Sequence, residues 1–168
     1  MSDTGQTTDQ AVKDLGDLLG NARICMLTTM TEDGKHVSRP MAVQDAEFDG
    51  DLWFFTYDDS DKARQVAANP EVNVAFADAK HSTWTSVSGR ASVVHDRAKA
   101  EQLYSPALKV WFPEGLETEG VALLKVETTS AEYWDAPSST IKTAVGALRA
   151  AVTKNPDAFP AENRTIEL

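Results

Sequence analysis

Arg39, Ser60 and Lys62 are the residues whose types and spacing come nearest to chemistry in this chain. Arg39 falls in a strand-like run, Val37 to Val43, while Ser60 and Lys62 open a short helical run over residues 60–69. A serine at the mouth of a helix stands beside backbone N–H groups that have no intrahelical partner, and the helix dipole adds partial positive charge there. A guanidinium can bind two oxygens at once. Together these features suit a phosphate. Spacing alone leaves a second reading open, a solvated arginine at a strand end and a surface lysine, because short Ser-x-Lys strings are common. The single Cys25 lies in the apolar run Arg23 to Met30, so it reads as a buried strand cysteine and excludes an intrachain disulfide. His36, His81 and His95 are scattered without ligand-like spacing, so no metal site is expected. No residue is placed like an obvious general base, and catalytic residues are left unassigned.

The elements that must hold these groups follow from periodicity. Asp9 to Asn21 carries Val12, Leu15, Leu18 and Leu19 at helical spacing. Ile24 to Met30 and Val37 to Val43, joined through Asp33-Gly34, read as a hairpin, and Asp49-Gly50 leads on to Leu52–Tyr57 as a third strand of one meander. A helix over 60–69 is capped by Ser60 or Asp59 and stopped by Asn69-Pro70. Val72, Val74 and Phe76 alternate with smaller or polar residues, as in a half-buried strand. Thr83 to Val94 is a long strand with a bend or bulge at Gly89. Asp96 caps a helix reaching Tyr104, Ser105 to Gly120 is irregular, and Val121 to Thr128 is the last clear strand. Trp134, just beyond it, is expected to plug the core. Ile141, Val145, Leu148 and Val152 mark a final amphipathic helix. Six short strands with few helices favour a mainly β fold, a closed antiparallel barrel with peripheral helices, over a doubly wound sheet. Residues 1–8 read as an N-terminal tail, 9–155 as one domain that includes the final helix, and 156–168 as a polar C-terminal tail.

With 42% hydrophobic and 25% charged residues, the 168-residue chain has the composition of a single globular domain. A net charge of −10 argues against nucleic acid and anionic membrane as partners. No apolar run approaches the roughly 20 residues that cross a bilayer. The polar stretch Met1 to Gln10 lacks the order of a secretory signal, so a cytoplasmic address is expected. An acidic protein that binds an anion must gather a few cations in one place.

Met26-Leu-Thr-Thr-Met30, Ser38-Arg-Pro-Met41, Leu52-Trp-Phe-Phe-Thr56, Ser60-Asp-Lys62, Val87-Ser-Gly89, Trp111-Phe-Pro-Glu-Gly115 and Glu132-Tyr-Trp-Asp135 follow one another along the chain. In that order they resemble general stress protein 26 relatives within the pyridoxamine 5′-phosphate oxidase-related, FMN-binding split-barrel group, over roughly Leu15 to Val152. The resemblance implies a six-stranded antiparallel split barrel. It implies that Arg39, Ser60 and Lys62 hold the phosphate of FMN, with Thr56 near the ribityl phosphate and Phe55 beside it. Met41, Ala42 and Val43 would line the isoalloxazine, partly through backbone groups. A homodimer would close the flavin site at the subunit interface, with Trp84 and Trp111 as the candidate wall. Thr28 and Thr29, beside Met41, could supply a polar edge to the ring, although ordinary β-propensity explains them equally well. FAD or a deazaflavin are the lesser alternatives to FMN.

The C-terminal stretch departs from the oxidase proper, because residues 156–168 hold one arginine and no histidine where the oxidase grips pyridoxal phosphate. Oxidation of pyridoxamine phosphate is therefore not expected. The expected function is a flavin-dependent oxidoreductase acting on a small molecule, and the alternative is a non-catalytic flavin-binding stress protein, a reservoir or sensor.

Overall fold

A computed structural model of the chain describes residues 13, 15–17, 19, 22–44, 48–135 and 162–167. The elements in order are β1 (Ile24–Met30), β2 (His36–Ala42), β3 (Asp51–Tyr57), α1 (Asp61–Ala68), β4 (Glu71–Asp78), β5 (Thr83–Val94), α2 (Arg97–Leu103), two 3₁₀ turns (Pro106–Val110 and Gly115–Glu117), β6 (Val121–Asp135) and β7 (Glu162–Glu167). All ladders are antiparallel and the strand order is β2-β1-β4-β5-β6-β3, with β7 pairing the far half of β6. The result is mainly β, a curled half-barrel with few helices. Of the expected N-terminal helix, residues 13, 15–17 and 19 are helical and Leu15 and Leu19 are buried. The helix expected over Ile141 to Val152 lies outside the described residues. No helix among the described residues is long and apolar enough to cross a membrane.

Two turns behave as their residues require. Gly34 closes the β1–β2 hairpin at φ +83°, a left-handed conformation that glycine adopts without penalty. Gly89 marks a register shift between β5 and β6, and a Cβ there would meet the Glu127 carbonyl oxygen at 2.5 Å. Only a glycine lets the two backbones come this close. The extra residue is Thr129 on β6, which has no partner on β5, so β6 bulges opposite Gly89 and the ladder twists there.

The meander expected from Asp49-Gly50 does not form. β3 pairs with β6, Asp51–Tyr57 against Val121–Glu127, and not with β2. β2 and β3 therefore sit at opposite ends of the strand order, which is where the barrel is split. The six strands expected are joined by β7, which falls in the stretch read as a polar tail. Its residues carry too little hydrophobic alternation to announce a strand, and the edge offered by β6 supplies the pairing. Nor is β6 two pieces: it runs unbroken to Asp135.

The period-2 alternation of the strands sorts side chains into two layers. On the barrel side Leu27, Phe54, Val74, Val87, Leu124 and Val126 form one buried cluster. On the other face of β3 and β6, Phe55, Leu103, Leu108, Phe112 and Leu123 form a second, into which α2 and the 3₁₀ turns dock. Each such side chain contributes about 1.5–3 kcal/mol by leaving water. Trp134 does not plug the core. It is only half-buried and stands opposite Trp84 in the β5–β6 ladder.

Candidate functional site

α1 packs across β1 and β5, and through Gln65 and its cap Ser60 it reaches Arg39 of β2 and Thr56 of β3. Ser60 is the N-cap of α1, its backbone extended and its Oγ accepting from the Ala63 N–H at 3.3 Å. Thr56, on the barrel side of β3 and 2% exposed, lies with its Oγ1 3.0 Å from the Ser60 Oγ. Arg39 reaches in from β2 and is half-buried. Its guanidinium donates to the Leu27 carbonyl at 3.2 Å, to the Thr29 Oγ1 at 2.6 Å and to the Gln65 Oε1 at 3.1 Å. Thr29 in turn donates to the same Gln65 oxygen at 2.6 Å. Both donors require an acceptor, which fixes the amide with its oxygen toward them. Asp61, whose charge bears on the cluster, is engaged outward by Arg64 one helical turn on.

Burial lowers the proton affinity of the Lys62 ammonium, and the charge of Arg39 lowers it further, while Asp61 opposes both. Arg39 is likewise shifted down by burial, with Asp61 acting the other way. An arginine keeps its charge at any ordinary pH. Arg39 and Lys62 thus lie near enough for the one charge to act on the other, both partly buried and close to the positive end of a helix, an arrangement whose electrostatics favour an anion.

Of the residues singled out from sequence, the fold gathers Arg39, Thr56, Ser60 and Lys62. It does not bring Phe55 to them. Phe55 points through the opposite face of β3 and packs against Phe112, ring centres 6.0 Å apart. Met41 is buried in the barrel cluster, and its backbone is turned to β1 opposite Cys25, so the backbone groups that face the outer side of β2 here are those of Ala42. Ala42 and Val43 are half-buried at the end of β2, and the Val43 N–H donates to the Arg23 carbonyl at 3.0 Å. Because β2 ends the strand order, alternate backbone groups on its outer side have no ladder partner among the described residues. Trp84 is 45% exposed on the outer face of the sheet, which it shares with Ile24 and Met26, both also exposed. Trp111 is exposed on the far side, where its carbonyl accepts from the Tyr57 hydroxyl at 2.7 Å.

Of the two threonines considered for a polar edge, Thr29 faces Arg39, whereas the Thr28 Oγ1 lies 2.7 Å from the Ser38 Oγ on the outer face. Gln65 was not anticipated. Its one signal in the sequence is that it lies three residues after Lys62, on the same side of the helix. A cavity of about 190 Å³ also lies beyond β3, between Phe55, Val94, Ala100, Leu116 and Leu123, and none of the cation cluster lines it. Its polar rim is already engaged: His95 lies 3.1 Å from Asp58, the Asp96 carboxylate caps the Lys99 N–H, and Arg97 pairs with Glu101 and Glu117.

The profile of the family described as pyridoxamine 5′-phosphate oxidase like matches residues 10–157. The protein bli-3 of Neurospora crassa is 33% identical over 141 residues, covering 78% of this chain and 68% of that protein. Among solved structures, the general stress FMN/FAD binding protein of Xanthomonas citri superposes with a TM-score of 0.66 at 28% identity, covering 79% of this chain and 93% of that one. A protein related to general stress protein 26 from Clostridium acetobutylicum gives 0.69 over 96% of this chain and 97% of its own, and at 15% identity it speaks for the fold alone. With the split barrel in place and the match spanning most of its length, this chain belongs to the pyridoxamine 5′-phosphate oxidase-like family.

Proposed function

We propose that the chain binds FMN, its phosphate held by Arg39, Lys62 and Ser60 at the N-terminus of α1, and that it serves as a flavin-dependent oxidoreductase for a small molecule. The observation that carries this is the meeting of Arg39 and Lys62 beside the cap of α1, with the Thr56 and Ser60 hydroxyls between β3 and the helix. A phosphate monoester fits that donor set in charge and in hydrogen-bonding type. The description of the Xanthomonas citri protein as FMN/FAD binding supports a flavin as the bearer of the phosphate. FMN is preferred to FAD because a terminal phosphate can use both cations and the helix end together.

The flavin, when bound, supplies the hydride chemistry, and the protein's part is orientation and electrostatics. Arg39 and Lys62 anchor the phosphate, and the outer edge of β2 at Ala42 offers backbone donors and acceptors along which a ring can lie. In this proposal a second copy of the chain closes the ring end. The exposed apolar side chains Ile24, Met26 and Trp84 on one sheet face support such a contact. Cytoplasm is the compartment this function supposes.

The test is the absorption spectrum of the purified protein with the chromophore identified after denaturation. FMN at close to one per chain, in a dimer by light scattering, is the expected result. A colourless protein that also fails to bind added FMN overturns the proposal. Bound flavin that no nicotinamide or other small-molecule donor reduces overturns the catalytic part and leaves a flavin-binding stress protein.

A further inference from the structure

We infer that Gln65 is a positioning residue of the anion site: a neutral acceptor that fixes the Arg39 guanidinium without cancelling its charge. The inference rests on the phosphate assignment above and adds to it a residue and a reason for that residue's type.

The geometry is a closed triangle. Arg39 donates to the Gln65 oxygen at 3.1 Å and to the Thr29 hydroxyl at 2.6 Å, and Thr29 donates to Gln65 at 2.6 Å. Thr29 is 1% exposed, so the triangle is anchored on a buried strand residue. A half-buried arginine is ordinarily steadied by a carboxylate, which also neutralises it. Here the steadying oxygens belong to an amide, a hydroxyl and a backbone carbonyl, none of which carries charge. The positive charge therefore stays available to whatever enters. The cost shows at Lys62, whose ammonium is disfavoured by burial and by the charge of Arg39. Asp61, the carboxylate whose charge bears on both cations, is drawn to Arg64 on the exposed side of α1. An incoming phosphate relieves the repulsion between the two cations, and a glutamate at position 65 would relieve it permanently.

That contrast makes Gln65→Glu a sharp test, because affinity and stability should move in opposite directions. FMN and riboflavin, which share the ring and ribityl chain but differ in the phosphate, are titrated by flavin fluorescence into the full-length protein. Gln65→Glu is expected to weaken FMN by about tenfold or more, since a like charge faces the phosphate. Riboflavin affinity should stay within about twofold of the unsubstituted protein. The melting temperature of the ligand-free variant should rise by about 1–4 °C as a new ion pair forms with Arg39. Gln65→Met keeps the shape and loses the acceptor, and should weaken FMN by about three- to tenfold without raising the melting temperature.

FMN affinity within twofold of the unsubstituted protein in Gln65→Glu overturns the inference. So does an equal loss of FMN and riboflavin in either variant, which would mark a merely structural role, or a melting temperature that falls. If the unsubstituted protein binds no FMN, the proposed function fails. The charge argument is then decided by the melting temperature of ligand-free Gln65→Glu alone, where no rise overturns it.

Discussion

Phe55 and Thr56 are neighbours in the chain and belong to different regions of the molecule. Thr56 faces the barrel side, where its hydroxyl meets the cap of α1, the helix that carries Lys62 and whose Gln65 holds Arg39. Phe55 faces outward into an apolar layer with Phe112, Leu103 and Leu108. One region is polar, cationic and half-buried at the split of the barrel. The other is apolar and holds α2 and the 3₁₀ turns to the sheet. β3 separates them by nothing more than the pleat. A change in the apolar layer should therefore reach stability first and anion binding hardly at all, and a change at the cluster should do the reverse.

The largest effect is expected on the apolar side. Phe112 is 5% exposed and packs against Phe55 and Tyr57 at ring distances of 6.0 and 4.9 Å. Phe112→Ala should cost about 3–5 kcal/mol in urea unfolding. The FMN affinity of the folded protein should stay within about twofold. A large loss of FMN affinity at native conditions would erase the separation between the two regions.

On the cluster side, Arg39→Ala should weaken FMN by about 1.5–3 kcal/mol, read as a shift in the flavin titration, while riboflavin binding is little changed. Unchanged FMN affinity would remove Arg39 from the phosphate site and with it the contrast drawn here.

The barrel interior that backs the cluster has its own pH signature. Burial pushes the Cys25 thiol from 9.0 up to about 12. In the unfolded chain the thiol ionises first, so the unfolded state holds fewer protons above pH 9. Stability that is fully present below pH 9 is then lost as pH rises toward 12. By pH 10.5 the loss should be about 2 kcal/mol, from about 1.4 kcal/mol per pH unit. It is measured as the difference in pH slope between the unsubstituted protein and Cys25→Val. Equal slopes would show that water reaches the thiol.

The smallest effect is expected at Thr56→Val, which removes one hydroxyl beside Ser60 and keeps the shape. FMN should weaken by about 0.5–1.5 kcal/mol, with stability nearly unchanged. A loss as great as that of Arg39→Ala would move the centre of the anion site from β2 to β3.

Much of the barrel was legible locally. Asp33-Gly34 announced the β1–β2 hairpin, Gly89 the irregularity between β5 and β6, Ser60 the cap of α1 and Asp96 the cap of α2. At the site, Arg39, Ser60 and Lys62 could be named because cap and charge are properties of a few consecutive residues. Phe55 was grouped with Thr56 because a motif reads along the chain, whereas the pleat sends adjacent side chains to opposite faces. Trp84 and Trp111, read as a wall that a partner subunit would supply, stand apart within one protomer, Trp84 on the outer face of the sheet and Trp111 at the end of the first 3₁₀ turn.

By itself, then, the sequence determined what depends on near neighbours: which stretches alternate, where turns and caps fall, and which cations are available to an anion. Only the tertiary structure decided which strands meet. β3 closes on β6 rather than on β2, leaving a split whose two sides α1 reaches through Gln65 and Ser60, and β7 adds to the far half of β6. The same folding brought Thr29 and Gln65, 36 positions apart, onto the Arg39 guanidinium. Such contacts follow from the summed burial of two apolar layers, to which every strand contributes and which no single stretch of residues specifies.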